Sequence, residues 1–393
     1  MAGAQSLSTF LVWLMATAIG GAVASNYYAQ PLLDSIATEY SVSYGAVGII
    51  VTVAQIGYGI GLLLLVPLGD KFEKRNLICI MTLISASGLL ISGLSPSLPF
   101  LLLGTGITAL FSVVTQLLIP FGAQLARPEM RGRIVGVLMS GLLMGILLGR
   151  SVSGGLSAFG SWRIVYFVAA VFMSLVALLL WKLLPQHRNE KQVSYAELLL
   201  SVGRLFAQER VLRSRSVMGA LSFGLFALFW TPLSFLLSAP PYEYSNAVIG
   251  LFGLTGAAGA ISAGWAGRLA DKGRSNLAVV LGLVIMLGSW IPLGFSPVSI
   301  IALVVGVIFL DFAVQLVHVS NMNTIIKLHP EQRSRLNAGY MTAYFVGGAS
   351  GSFIAAHIYE DYGWLGITLT GFGVSLLALT LGLNGLHREK RSA

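Results

Sequence analysis

The sequence has 393 residues, of which 56% are hydrophobic and only 10% are charged, whereas soluble domains carry about 25% charged residues. So few charges cannot cover a soluble surface, which excludes a soluble globular protein. The single cysteine excludes an internal disulfide and any cysteine-based metal site. The formal net charge of +9 raises the question of nucleic-acid binding, which the positions of the basic residues decide.

Apolar runs long enough to cross a bilayer recur along the whole chain. The predicted spans are 8–33, 43–69, 76–94, 98–125, 134–157, 163–184, 214–238, 245–268, 276–295, 299–326, 335–358 and 365–386. The pattern predicts an all-α membrane protein with twelve transmembrane helices in two six-helix bundles, residues 1–184 and 214–393. The polar segment 185–213 between them predicts a cytoplasmic linker with an amphipathic interfacial helix.

The basic residues indicate the orientation of the chain in the membrane. All of the 24 Lys and Arg residues except Arg150 and Arg163 fall on one side if both termini are cytoplasmic, as the positive-inside rule requires. The positive net charge therefore indicates membrane topology and not nucleic-acid binding. We expect a multi-pass protein of the inner membrane, a monomer whose surface partner is the lipid bilayer.

The two halves repeat one another at a constant offset, which is the signature of internal duplication. The matching residues are Pro128, Glu129, Arg131, Arg133, Gly145, Gly149 and Trp162 with Pro330, Glu331, Arg333, Arg335, Gly347, Gly351 and Trp364. The loop PLGDKFEKR is echoed by GRLADKGR, which places Asp70 against Asp271. Two parallel six-helix repeats would place a substrate site at their interface near the middle of the bilayer.

Over its whole length the chain resembles the major facilitator superfamily. Residues 66–75 and 267–274 are similar to its loop motif G-x-L-A-D-[RK]-x-G-[RK]-[RK], with Val66 and Glu73 in place of glycines and a second copy one residue short. The resemblance implies that the aspartate caps a helix and pairs with basic residues, as a conformational latch. The latch candidates are Asp70, Lys71, Arg75, Gly267, Asp271 and Lys272.

The fifth predicted span carries glycines that also resemble a family signature. Gly136, Gly145, Gly149 and Gly154 are similar to the motif G-x8-G-x3-G-P-x-x-G-G of the twelve-span drug:proton antiporter branch, except that Arg150 replaces the proline and Ser153 a glycine. The chain is most similar to the sugar- or nucleoside-efflux cluster of that branch. This resemblance implies proton-coupled efflux of a small molecule by alternating access. Proton-coupled uptake, facilitated exchange and a non-transporting membrane receptor remain the alternatives.

Two charged residues inside predicted spans are the candidates for proton coupling. Arg150 is costly within lipid, by roughly 2.5–3.5 kcal/mol, and therefore faces a partner or a cavity; the alternative is a structural ion pair. Asp311 and His318 lie on one face of the tenth span. We expect Asp311 to carry the proton, with His318 as a relay or a second carrier. The candidate partners of Arg150 are Asp311, Asn26 and Asp34.

Polar and aromatic side chains within the spans predict the substrate cavity. The resemblance places spans 1, 4, 7 and 10 around the cavity, and these candidates fall mainly on them. The candidates are Asn26, Tyr27, Gln30, Gln55, Ser112, Gln116, Trp230, Gln315, Tyr340 and Tyr344. For any single hydroxyl or amide, helix–helix packing is the competing interpretation.

The sequence lacks the motifs of ATP-driven transport and of metal-dependent proteolysis. There is no G-x-x-x-x-G-K-[ST] phosphate loop, no H-E-x-x-H motif and no cysteine cluster. We therefore expect neither an enzyme nor an ATP-driven pump, and neither a cofactor nor a metal.

Overall fold

The computed structural model describes residues 8–187, 195–329 and 332–392. Linker residues 188–194 and the repeat residues Pro330 and Glu331 lie outside this set. Within it, ten helical segments have the length and hydropathy needed to cross a membrane, and a further apolar helix is shorter. Large apolar side chains such as Val171 and Ile301 are exposed, as expected on a surface that faces lipid. The chain is an all-helical, multi-pass membrane protein.

The first half, residues 8–187, consists of helices joined by short turns. Its α-helices are α1 (Thr9–Ala24), α2 (Leu33–Tyr40), α3 (Tyr44–Leu64), α4 (Lys74–Gly93), α5 (Leu98–Ser112), α6 (Thr115–Leu125), α7 (Arg131–Ser157) and α8 (Arg163–Leu183). Short 3-10 helices cover Gln30–Leu32, Val66–Asp70 and Pro128–Met130. Their buried apolar side chains form one large core cluster.

The second half begins with the amphipathic helix that the linker pattern predicts. Its α-helices are α9 (Tyr195–Gln208), α10 (Arg210–Trp230), α11 (Leu233–Ser238), α12 (Asn246–Leu251), α13 (Ala257–Asp271), α14 (Ser275–Gly294), α15 (Ile300–Ile325) and α16 (Arg333–Ser392), with a 3-10 helix at Phe252–Gly256. Helix α10 begins at Arg210, within the segment 185–213 that the sequence predicts as the linker. The last two predicted spans lie within α16, where Gly363 alone has non-helical backbone angles (φ 58°, ψ −154°).

Four predicted spans are interrupted instead of continuous. The expected spans 8–33, 98–125, 214–238 and 245–268 leave the α-helical conformation at residues 25–29, 113–114, 231–232 and 252–256. Two of the breaks have a clear cause, because Pro31 and Pro232 lack the N–H that an α-helix needs and their rings crowd the preceding turn. The interruptions place polar and aromatic side chains at the middle of the molecule.

The two halves touch along α3 and α16 and along α7 and α12. The hydroxyls of Thr52 and Ser352 are 2.9 Å apart, and the hydroxyl of Ser151 donates to the carbonyl of Gly250 at 2.9 Å. Towards the other end of α7, a Cβ on Gly136 would meet no described atom within 4 Å. Along α7, the halves therefore touch near the end that lies farther from Arg131.

One basic residue that we assigned to the cytoplasmic loops lies in the protein interior. Arg215 on α10 is buried, and its guanidinium donates to both carboxylate oxygens of Glu389 on α16, at 3.2 and 2.6 Å. It also donates to Asn276 at 2.6 Å and to Asn321 at 3.3 Å. Its position on the cytoplasmic side stays a prediction, because its partner Glu389 lies beside the basic residues near the end of the chain that we assign to the same side.

Candidate substrate and proton site

Arg150 on α7 lies at the centre of the molecule, where three aromatic rings surround its guanidinium. The side chain is 2% exposed, and its Nε donates to Oε1 of Gln30 at 2.5 Å. The guanidinium carbon lies 4.6 Å from the ring centroid of Tyr27, 5.5 Å from that of Phe226 and 3.9 Å from that of Trp230. The faces of these rings attract a cation and replace part of the hydration that Arg150 loses on burial.

Trp230 connects this cation to the buried carboxylate of Asp311. Its indole N–H donates to Oδ1 of Asp311 at 3.1 Å, while its ring face covers Arg150. Asp311 on α15 is only 5% exposed. Among the residues that the structure describes, no carboxylate forms an ion pair with Arg150. The two opposite charges are therefore held near each other with an indole ring as the intermediary.

The observed partner of Arg150 is none of the three candidates that the sequence left open. Asn26 instead donates to the hydroxyl of Ser112 at 3.0 Å and to the carbonyl of Ala22 at 3.2 Å. Asp34 on α2 accepts a hydrogen bond of 3.4 Å from the Tyr44 hydroxyl. The break after α1 explains the difference, because it turns the side chain of Gln30 towards α7.

Gln116, a cavity candidate of the first half, belongs to a hydrogen-bonded group between α3 and α6. Gln116 donates to the Tyr58 hydroxyl at 3.4 Å, and that hydroxyl lies 3.2 Å from the hydroxyl of Thr115. Gln55 is buried on α3. None of these side chains touches Arg150 in the contacts of the described residues, and their place in the substrate cavity stays a prediction.

His318 belongs to an aromatic cluster of the second half. Its Nδ1 lies 3.2 Å from the Tyr340 hydroxyl, and its ring centroid is 4.6 Å from that of Tyr344. Gln315, one turn earlier on α15, lies against Gly259 of α13. Because Asp311 precedes His318 by seven residues, the two are about 10 Å apart along the helix axis, too far for a direct proton transfer in this arrangement.

The glycines of the fifth span divide into packed and open positions. A Cβ on Gly145 would overlap the backbone of Gly20 on α1, and one on Gly149 would lie 3.1 Å from the Cα of Ala24. Gly154 faces the backbone of α12 in the same way, whereas Gly136 is open. Gly145 and Gly149 therefore permit backbone-to-backbone packing.

In the loop after α3, Glu73 caps the start of the next helix. It accepts the N–H groups of Arg75 and Asn76 at the start of α4, at 2.9 and 2.8 Å. Glu73 also accepts the backbone N–H of His187 at 3.0 Å. Burial alone would raise the pKa of this carboxyl, but the three N–H donors and the charge of Arg75 hold its pKa below the usual value.

The other latch candidates lie at exposed helix ends. Asp70 and Lys71 are exposed at the end of the 3-10 helix Val66–Asp70, and Lys71 lies over the ring of Phe72 at 5.8 Å. Asp271 and Lys272 are exposed at the end of α13. A Cβ on Gly267 would meet no described atom within 4 Å, so close packing does not explain that glycine.

Two residues near Arg150 were not predicted from the sequence. Phe226 lies one helical turn before Trp230, a spacing at which both side chains share a face of α10, and that signal was available. Ser234 follows Pro232 and lines a small cavity beside Arg150. A serine in an apolar run gives no sequence signal of this kind.

Comparison with known proteins gives the context of this site. The family described as the Major Facilitator Superfamily matches residues 6–331. The chain is 51% identical to the "Uncharacterized transporter YgaY" of Escherichia coli O157:H7 over 98% of each protein, and 30% identical to the "Probable transporter SCO4007" of Streptomyces coelicolor over 90% of this chain and 82% of that protein. Its fold is similar to that of a bacterial homolog of the human lysosomal transporter Spinster, with a TM-score of 0.79, 13% identity, and coverage of 96% of this chain and 97% of that one.

Proposed function

This chain belongs to the major facilitator superfamily of transporters, and from that premise we propose that it exports a small organic molecule across the inner membrane in exchange for protons. The chain is a membrane transporter and not an enzyme. The glycine signature of the drug:proton antiporter branch supports the outward direction. The observation that carries the proposal is Trp230, which contacts the cation Arg150 with its face and the carboxylate of Asp311 with its N–H.

The proposed architecture has twelve spans in two pseudo-symmetric bundles, residues 1–184 and 214–393, in a monomer with cytoplasmic termini. The same contact occurs in both halves, because Gly145 packs on Gly20 as its repeat counterpart Gly347 packs on Ala220. Dividing α16 at Gly363 and counting the short helix α1 brings the ten long segments to twelve. Reporter fusions at Gln192 and Ala393 should score cytoplasmic; an opposite score at either one contradicts this topology.

Asp311 is proposed to carry the proton. A buried carboxylate without an ion pair gains or loses a full unit of charge when it titrates, and burial makes that change energetically large. The neighbouring indole N–H and the positive charge of Arg150 both interact more strongly with the ionised form. An alternating cavity that hydrates Asp311 first on one side and then on the other would therefore load and release a proton.

Asp311→Asn tests the coupling, with Asp34→Asn as the matched control because Asp34 lies outside the aromatic cluster. Counterflow of a ligand panel in proteoliposomes would first identify a substrate. We expect Asp311→Asn to bind and exchange that substrate but to lose substrate-induced proton release, whereas Asp34→Asn releases protons like the wild type. Proton release from Asp311→Asn with wild-type pH dependence would rule out Asp311 as the coupling residue.

Proton-coupled uptake is a second candidate, and one observation favours it. The Nη2 atom of Arg150 has no hydrogen-bond partner among the described residues. An anion bound there would oppose the charge of Asp311 and so favour its protonation, and anion and proton would then travel together. The sign of proton movement on substrate addition separates the candidates, since release indicates exchange and uptake indicates cotransport.

A further inference from the structure

Two buried polar groups without partners line one cavity between the halves. Nη2 of Arg150 and the hydroxyl of Ser234 have no hydrogen-bond partner within the described part of the chain, and Ser234 is 1% exposed. The cavity has a volume of about 10 Å³. Its lining residues are Gln30, Pro31, Arg150, Trp230, Leu233, Ser234 and Ile249.

The chemistry of this cavity defines the group that would fill it. A guanidinium only donates hydrogen bonds, and a serine hydroxyl donates one. Buried donors without an acceptor are unfavourable, and a planar guanidinium matches the oxygens of an oxyanion. Two donors suit the two oxygens of a carboxylate, whereas the third oxygen of a phosphate or sulfonate would find no donor in this set.

The apolar part of the lining defines the rest of the ligand. Pro31, Leu233 and Ile249 supply no charge and no side-chain hydrogen bond, and Trp230 adds an aromatic surface. The cavity admits one water-sized group, about the size of one carboxylate oxygen, so a whole carboxylate would fit there only once the halves move slightly apart. The remainder of the molecule would lie between the halves, against apolar surface.

We propose that Arg150 and Ser234 form a carboxylate-binding subsite, so that the substrate is a small organic monocarboxylate with an apolar body. This inference rests on the proposed transport function but not on its direction. Arg150 comes from α7 in the first half, and Ser234 comes from α11 in the second. A carboxylate bound by both donors would therefore bridge the halves.

Binding to the full-length, purified protein in nanodiscs tests the subsite directly. The probes are acetate, butyrate, hexanoate and benzoate, each paired with its uncharged primary amide, and radiolabelled benzoate and hexanoate give Kd by equilibrium dialysis. We expect binding of at least one carboxylate and of none of the amides. Ser234→Ala should weaken that binding roughly tenfold or more, because it removes a hydrogen bond to a charged group.

The control variant is Ser216→Ala, because Ser216 lies on α10, is equally buried, has a hydroxyl without a partner and does not line the cavity. It should bind like the wild type. Arg150→Lys keeps the charge but loses the planar fork and should weaken binding, and Arg150→Gln should abolish it. If the arginine variants do not fold, the serine pair still decides the question.

Three results would overturn the proposal. The first is that the amides bind as tightly as the carboxylates. The second is that Ser234→Ala and Ser216→Ala bind a carboxylate with the same affinity, and the third is that no carboxylate binds at all. Any of these results would mean that the cavity holds only water or a neutral group. The dialysis uses no proton gradient, so its failure is distinct from failure of the transport function. A carboxylate that binds through Ser234 but never moves with or against protons would leave the subsite intact and refute proton coupling.

Discussion

The contact between α7 and α1 gives a prediction with a built-in control. A Cβ on Gly145 would overlap the carbonyl oxygen of Gly20, which is backbone and cannot rotate away, whereas a Cβ on Gly136 has no described neighbour within 4 Å. Both glycines lie inside α7 and both belong to the resemblance that indicates an antiporter. The structure separates them, and alanine at the two positions should have opposite effects.

The magnitude follows from packing and helix propensity. Adding a methyl group to a well-packed interior costs about 1–3 kcal/mol, and an overlap with backbone belongs at the upper end of that range. Replacing glycine by alanine within a helix gains up to about 1 kcal/mol, and both variants share this gain. We therefore expect Gly145→Ala to be less stable than the wild type by about 1–2 kcal/mol, and Gly136→Ala to be equal or slightly more stable.

Cys79 supplies the assay. It is the single cysteine of the chain and is 4% exposed, so a thiol-reactive fluorophore labels it only when heat opens the first half. The unfolding temperature of purified Gly145→Ala should fall by roughly 2–4 °C for each kcal/mol, while that of Gly136→Ala should not fall. Equal unfolding temperatures for the two variants would refute the close approach of α7 to α1.

Three further outcomes are expected. Asp70→Asn should slow turnover and leave substrate affinity nearly unchanged, as measured by transport and equilibrium binding; a proportional loss of both would make Asp70 merely structural. Glu73→Gln should lower the unfolding temperature at neutral pH. Because the pKa of Glu73 is depressed in the folded protein, the difference from the wild type should vanish as the pH falls well below about 4.5. A difference that does not depend on pH would show that the charge of Glu73 is not its cause. Spin labels on α7 and α1 should show one distance with and without substrate, whereas labels on α7 and α10 should show two.

The sequence was sufficient for the features that depend on composition and local spacing. The apolar runs located the helices, and the signature glycines Gly145 and Gly149 of the fifth span pack against α1. Arg150 and Asp311 stood out because charges inside apolar runs are costly. Their identification needed no knowledge of the fold.

The breaks within the helices were beyond the apolar pattern. Hydropathy falls at residues 25–29 and 231–232, but such short dips did not divide the predicted spans, although Pro31 and Pro232 gave a local signal that an α-helix would fail there. The partner of Arg150 depends on such a break, because Gln30 reaches it only after the chain turns at the end of α1. Long-range contacts between α7, α10 and α15 have no counterpart in local spacing.

Glu73 shows how a departure from a motif can acquire a structural role. The family motif has glycine at this position, and an alignment by resemblance assigns the helix cap to the aspartate. A glutamate at the N-cap has enough reach to accept N–H groups two and three residues later, which satisfies donors that the helix leaves open. Its third contact, to His187, ties the end of the first half to the loop before α4.

The way α7 is held explains the expected spin-label distances. Within the first half, Gly145 and Gly149 fix α7 to α1 by backbone contact, and Gln30 binds Arg150. The contacts of Arg150 with Trp230 cross to the second half and depend on side chains alone. When the halves move as rigid bodies, we infer that Arg150 keeps Gln30 and separates from Trp230, and with it from Asp311. The charge near Asp311 would then change with the opening of the cavity, which is the property that a coupled transporter requires.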